Sequence, residues 1–367
     1  MRSVVFVLAY VALLVVGVSA YEGKLDLRLS GVPGVPSLGH SASPGLCGTT
    51  LDSRLDYSWP VRPFDEQHPI RGNFGDPRTI STAAFGADTA GTPGQFSFHN
   101  GVDIAAPVGT KVYPVVSGWG TVVDGDEVAV QAGDRIFEYR HINPVLRRNG
   151  PVVVGVTVLG TVKHPADHVH LTELDGFQVV DPLLHLRPYV DHTKPSVQSI
   201  AFLTVGGRRL QPDSLRGRIV VLAKADDRQS IPVPGTWNGF PITPALVEAT
   251  LLDARGTLVW RRVVSDFVRT EPVQSDFWRI YGPGTYQNFP VFGHRYYWKT
   301  PGRYVFRITS APLDTRRLPN GRYELQVSAR DLCGNEATVS QPISVDNGSN
   351  GLDTRDAVAR SPRRASA

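Results

Sequence analysis

The chain has 367 residues, more than one ordinary hydrophobic core accommodates, so its length predicts about two domains. A formal net charge of +4 is small, and Lys and Arg are dispersed with no aromatic-interleaved basic run, which argues against a nucleic-acid partner. Only Cys47 and Cys333 occur, which excludes a disulfide-dense scaffold and leaves open one bridge or two separate buried thiols.

In chain order, Met1-Arg2, the apolar run Val4 to Val18 and the small residues of Val18-Ser19-Ala20 predict a signal peptide over residues 1–20, removed after Ala20. The mature protein is therefore expected outside the cytoplasm, secreted or in the periplasm and cell envelope, and no later apolar stretch is long enough to span a membrane. Residues 21–60 are rich in Gly, Pro and Ser, as in Gly31-Val32-Pro33-Gly34-Val35-Pro36, and are expected to wrap the next domain or stay mobile. Residues 61–190 carry short β-rich runs punctuated by glycine, with almost no helical periodicity. Pro188 to Pro195 forms the connector to a second domain over 195–345. There, seven alternating segments (Val197 to Val205, Ile219 to Ala225, Leu246 to Leu252, Leu258 to Val264, Tyr304 to Ile308, Tyr323 to Ala329 and Ala337 to Val345) predict an antiparallel β-sandwich. The fold class is mainly β. Residues 346–367 are polar, include Arg360, Arg363 and Arg364, and read as a disordered tail.

The chemistry concentrates in the first domain. The run Phe98-His99-Asn100-Gly101-Val102-Asp103-Ile104-Ala105-Ala106-Pro107 is followed by Tyr139-Arg140-His141 and then by Asp167-His168-Val169-His170-Leu171-Thr172-Glu173. Two imidazoles and one carboxylate fill three corners of a zinc tetrahedron and leave the fourth for water, the ligand count of catalytic rather than structural zinc. Extended chain puts residues at even spacing on one face, so His99 with Asp103, and His168 with His170, are expected to share a face. One histidine of the His168-Val169-His170 pair can then bind metal while the other stays free beside it. A helix would also bring residues 99 and 103 together, but Gly101, Pro107 and Gly109 argue against one. No motif claims His164, His185 or His192.

These motifs together resemble the lysostaphin-type, or LytM-like, peptidoglycan metalloendopeptidases. The resemblance runs from about Pro69 to Leu186. It includes Gly72-Asn73-Phe74-Gly75-Asp76-Pro77-Arg78, similar to the family's Phe-Gly-x-Arg entry, then Val112 to Gly120, Val153 to Gly160 and the exit Val180-Asp181-Pro182-Leu183. It implies a LytM-like antiparallel sheet with one zinc ion held by His99, Asp103 and His170. His168 would be the general base or acid beside the metal, and His141 the second catalytic histidine. The chain departs from the family where Lys163-His164-Pro165-Ala166-Asp167 replaces a Gly/Thr/Ser-rich turn, where Gln131 stands at a position often histidine, and at Asp124-Gly125-Asp126-Glu127. Every implied ligand remains; the departures bear on the shape of the substrate groove.

The second domain bears a weaker resemblance. Leu318 to Tyr323 and Ala329 to Asn335 look like the closing hairpin of bacterial immunoglobulin-like modules. An aromatic-rich insertion, 267–298, holds Phe277, Trp278, Tyr281, Tyr286, Phe289, Phe292, Tyr296, Tyr297 and Trp298. Such rings either stack on sugars or form a satellite core against the sandwich or the first domain, and packing is favoured because large aromatics are normally buried.

The expected function is that of a secreted, monomeric zinc metalloendopeptidase that hydrolyses peptide bonds in peptidoglycan stems or cross-links. The alternative is a catalytically weak LytM-like module that binds wall peptides or activates a partner cell-wall hydrolase. A third possibility is a structural or adhesive envelope protein dominated by its second domain.

Overall fold

The computed structural model describes residues 46–51, 53–79, 96–287 and 302–348. The expected signal peptide, most of the Gly/Pro/Ser-rich segment, residues 288–298 of the aromatic insertion and the tail beyond residue 348 lie outside the described residues. The described chain is built from antiparallel sheets, with one α-helical turn, α1 (Phe277–Ile280).

The first half contains β1 (Ile70–Gly72), β2 (Pro77–Thr79), β3 (Phe96–Phe98), β4 (Val102–Ala105), β5 (Lys111–Val112), β6 (Gly118–Val122) and β7 (Glu127–Ala132). It continues with β8 (Arg135–Arg140), β9 (Ile142–Pro144), β10 (Gly150–Val152), β11 (Gly160–Val162), β12 (His168–Asp175) and β13 (Gln178–Val180). Its main sheet runs β1-β4-β12-β8-β7-β6-β10, with β13 beside β12, flanked by the small sheets β5-β11-β9 and β2-β3. β12 lies between β4, which pairs His168 to Leu171, and β8, which pairs His170 to Asp175, and it is buried from His168 to Glu173. Val102 and Ile104 of β4, with Val169 and Leu171 of β12, point into the hydrophobic core. The strand period of two then places Asp103, His168 and His170 together on the other face.

The second half comprises β14 (Ser196–Thr204), β15 (Arg209–Leu210), β16 (Arg218–Asp226), β17 (Leu246–Asp253), β18 (Leu258–Asp266), β19 (Val305–Arg307), β20 (Leu313–Asp314), β21 (Gly321–Arg330) and β22 (Glu336–Val345). One sheet is β15-β14-β16-β19 with β20 on β16, and the other is β18-β17-β21-β22. Ile219, Val221 and Ala223 of the first sheet and Val247, Ala249, Leu251, Leu325, Val327 and Ala329 of the second are buried at alternate positions, which gives the two-sided core that the sequence alternation predicts.

The two halves share one continuous hydrophobic core. Phe96 and Phe98 of β3 meet the near part of the aromatic insertion: ring centroids are 5.1 Å apart for Phe98 and Phe277, 5.6 Å for Phe98 and Phe267, and 5.9 Å for Phe96 and Phe277. Phe277 and Tyr281 are thus core residues, and burial of rings of this size is a large part of what joins the halves. Backbone bonds cross the same seam, from Asp181 N–H to Arg269 O (3.0 Å) and from Glu271 N–H to Val179 O (3.0 Å). Cys47 and Cys333 form a disulfide, with Leu46 N–H donating to Leu332 O at 2.9 Å beside it. Such a bridge fits an oxidising, extracytoplasmic compartment. No helix among the described residues is long and apolar enough to cross a membrane.

The disulfide spans 286 residues of sequence, so it removes a very large loop from the unfolded ensemble. The Cys47→Ser/Cys333→Ser variant is expected to lose about 2–4 kcal/mol. Reversible guanidinium unfolding measures this, and an unchanged midpoint would contradict it.

Candidate metal centre

The register of the main sheet assembles the site. His170 of β12 lies directly opposite Asp103 of β4, and His168 opposite Ala105. His99 arrives differently from the single-strand arrangement that the His99-x-x-x-Asp103 spacing predicts. The chain leaves β3 at Phe98 and enters β4 at Val102, changing sheets in between, so His99 sits in the crossing and not on a common strand with Asp103. It is fixed by the loop over residues 73–76. His99 N–H donates to Asp76 O (2.8 Å), Gly75 N–H donates to His99 O (2.9 Å), and His99 Nδ1 donates to Asn73 O (2.7 Å).

These contacts determine where the protons are. A carbonyl oxygen only accepts, so the bond to Asn73 O puts the hydrogen of a neutral His99 on Nδ1 and leaves a lone pair on Nε2. His168 Nδ1 likewise donates to Ala166 O at 2.7 Å, leaving its Nε2 bare. His170 Nε2 lies 2.8 Å from Thr172 Oγ1, which can accept its hydrogen and turn a bare Nδ1 inward. His99 Nε2 and His170 Nδ1 are 2.9 Å apart and lie 3.2 and 3.1 Å from Asp103 Oδ1. His168 Nε2 is 3.3 Å from the same oxygen. Four acceptors therefore converge with at most one proton, on His170 Nδ1, to separate them in the neutral state.

A cation resolves that conflict. Zinc bonded at ordinary tetrahedral lengths has ligand-to-ligand edges of roughly 3.3 Å, close to the separations within the His99, Asp103 and His170 triangle. The donor atoms of these three buried residues all lie within 4.8 Å of one another, whereas His168 reaches Asp103 without joining the group. The donor set and its protonation fit a zinc ion on His99 Nε2, Asp103 Oδ1 and His170 Nδ1. Asp191, Asp227 and Asp331 form a second compact group, but carboxylates alone are hard-cation ligands and lack the imidazoles that suit zinc.

Asp103 is held for this role by Arg78, whose Nη2 donates to Oδ2 at 2.7 Å and so leaves Oδ1 for the histidines. Burial opposes ionisation of Asp103, yet its neighbours hold its carboxyl well below the usual carboxylate range, and of these Arg78 is the one that stays charged when the imidazoles are neutral. Burial, and next the Arg78 charge, lower His99; burial lowers His170 well below the ordinary imidazole value. Both are then neutral near pH 7, as metal ligands must be. The close approach of Arg78 and Asp103 requires glycine at position 72, where a Cβ would come within 2.5 Å of Asp103 Oδ2.

His141 joins the site from the end of β8. Its φ of 63° lies in the left-handed region, uncommon for a residue with a side chain, and its ring centroid is 4.7 Å from that of His168. Burial and then the neighbouring His168 push it down to about 4, so it is a neutral imidazole at physiological pH. Asp126 Oδ2 lies 3.6 Å from its Nδ1. All five residues expected from the sequence thus meet in one place. The three left aside do not enter the site: His185 faces the buried Glu173 (3.0 Å), His164 is exposed, and His192 is bonded through its backbone to Ser230. The sequence reading missed Arg78, Asn73 and Thr172 as supports. Thr172 had a signal, being two residues from His170 on the same strand face.

No family model matches the chain, and no curated protein matches it. Among solved structures it is similar to the SpoIIQ–SpoIIIAH pore-forming complex, with 19% identity and a TM-score of 0.29, over 38% of this chain and 95% of that chain. It is similar to a putative peptidase M23 from Pseudomonas aeruginosa, with 19% identity and a TM-score of 0.26, over 39% of this chain and 56% of that chain. A third similar structure is pseudoalterin, an M23 metalloprotease from the deep sea, with 17% identity and a TM-score of 0.23, over 35% of this chain and 76% of that chain.

Because binding to the native state alone adds stability, zinc at a hundredfold excess over its dissociation constant is expected to stabilise the wild type by about 2.7 kcal/mol. His99→Ala and His170→Ala should each lose that increment, while chelator should leave their melting points unmoved. An undiminished response to zinc in both variants would contradict the assignment.

Proposed function

We propose that the chain is an extracytoplasmic zinc metalloendopeptidase acting on peptide bonds of peptidoglycan stems or cross-links. The observation that carries this reading is the meeting of His99 Nε2, Asp103 Oδ1 and His170 Nδ1, of which the first two carry no proton, with a further bare imidazole nitrogen, His168 Nε2, beside them. The substrate class rests on the resemblance of the motifs between Pro69 and Leu186 to LytM-like enzymes. By its closing hairpin, the second half is an immunoglobulin-like sandwich.

When bound, zinc supplies Lewis-acid polarisation of the scissile carbonyl and lowers the pKa of water toward neutrality. The chain's own residues do the rest. His168, locked as the Nδ1–H tautomer by Ala166 O, presents Nε2 to take a proton from the attacking water and return it to the leaving amine. His141 stands against His168 as a neutral imidazole and can hydrogen-bond the developing oxyanion without bringing a second positive charge near the metal. Arg78 keeps Asp103 ionised and aimed throughout.

The test is digestion of isolated peptidoglycan sacculi of several cross-link types by the zinc-loaded protein, with released fragments identified by mass spectrometry. New amino and carboxyl ends are expected, and His168→Ala should slow their release by about 10²–10⁴-fold while still binding zinc. Absence of cleavage by folded, zinc-loaded wild type on every sacculus would refute the peptidase and favour a wall-binding or activator role.

A further inference from the structure

The second half of the chain reaches the metal centre at two points, neither of which the catalytic reading needs. The first is the segment 73–78, the loop 73–76 running into β2, whose one side holds the ligands: Asn73 O and Asp76 O hold His99, and Arg78 holds Asp103. The opposite side of this segment is held by the second half. The Asp76 carboxylate is completely buried and accepts from Thr243 N–H at Oδ1 (2.7 Å), and from Gln287 Nε2 (2.8 Å) and Asn73 N–H (2.7 Å) at Oδ2. Asn73 Nδ2 donates in turn to Thr243 O (3.1 Å). The Tyr281 hydroxyl donates to Gly75 O (2.8 Å) and lies 3.0 Å from Thr243 Oγ1. Gly75, at a φ of 84°, has the Phe267 ring against it so closely that a Cβ would fall 2.5 Å from ring carbons. Asp76 is thus a node with ligand supports on one side and Thr243 and Gln287 on the other, while Tyr281 braces the adjoining Gly75 carbonyl and Thr243.

The second point of contact concerns His168. Ala166 O, which fixes the His168 tautomer, also accepts from Arg71 Nη1 at 2.5 Å. The Arg71 guanidinium in turn lies 4.0 Å from the ring centroid of Trp237, in the loop between β16 and β17. A planar cation between an aromatic face and a carbonyl is held in one orientation, and so is the carbonyl.

We propose that the second half of the chain is a positioning element of the metal centre, which sets His99 and Asp103 through the Asp76 node and steadies His168 through Trp237 and Arg71. The two halves then cannot work as a separable enzyme and a tethered accessory module. Partners that orient metal ligands typically change metal affinity by about 10–100-fold when removed, and that range is expected here. The inference rests on the metal centre described above, so the experiment separates the two.

Zinc dissociation constants of the full-length apoprotein are measured by competition with a chromophoric chelator for wild type, Tyr281→Phe, Gln287→Leu and the double variant. Circular dichroism confirms the fold at the working temperature, and the visible spectrum of the cobalt-substituted protein reports ligand geometry. Cys47→Ser/Cys333→Ser serves as a destabilised variant that leaves the Thr243, Tyr281, Gln287 and Trp237 contacts in place. The proposal expects about 10-fold weaker zinc binding in the single variants, a further loss in the double variant, an altered cobalt spectrum and an unchanged constant in the cysteine variant. Unchanged zinc binding in Tyr281→Phe and Gln287→Leu, or equal weakening in the cysteine variant, overturns it. Tyr281→Phe removes a single oxygen and keeps the test decisive should the double variant not fold. Absence of zinc binding by wild type would instead remove the metal centre itself.

Discussion

The site depends on a single carboxylate oxygen. Asp103 Oδ1 lies between 3.1 and 3.3 Å from three imidazole nitrogens, and hydrogen bonds elsewhere on the rings leave at least two of those nitrogens without a proton. Buried acceptors facing one another in a low-dielectric interior are costly unless a cation or proton lies between them. On the proposed reading, this conflict is what a divalent ion in the pocket would relieve. The same burial that makes the conflict severe also keeps His99 and His170 neutral and ready to coordinate.

Holding that conflict in place requires rigidity on every side. His170 is paired with both β4 and β8, so it cannot shift without breaking two ladders, and His168 is paired with β4. Asp103 is fixed from behind by Arg78 of β2, and His99 by backbone carbonyls of the loop that leads into β2. That loop would be a weak support if it faced water. It is instead enclosed by Phe267, Tyr281, Thr243 and Gln287, which ties the functional centre to the core of the whole chain.

The legible parts of the sequence were those set by local periodicity and residue type. The strand period puts His168 and His170 on one face, and this pairing appears in β12. Alternation in the second half foretold a two-sided antiparallel core, and glycine-punctuated short runs foretold the strands of the first. The spacing of His99 and Asp103 suggested proximity for a reason that does not hold: a change of sheet, not a shared strand, brings them together. What stayed hidden depends on pairing across long separations. Thr243 and Gln287 lie 167 and 211 residues from Asp76, and no local pattern announces that a buried aspartate will be their common acceptor. The Cys47–Cys333 bridge, across 286 residues, stayed open as one of two alternatives for the same reason, whereas the burial of Phe277 and Tyr281 against β3 follows the packing favoured for the aromatic insertion.

The most direct test of the account is location of the metal by anomalous diffraction at the zinc edge, on crystals grown with one equivalent of zinc. The account predicts one strong peak bonded to His99 Nε2, Asp103 Oδ1 and His170 Nδ1, at the roughly 2.0–2.2 Å of such ligands. A peak confined to Asp191, Asp227 and Asp331, or no ordered zinc between the histidines, would contradict it.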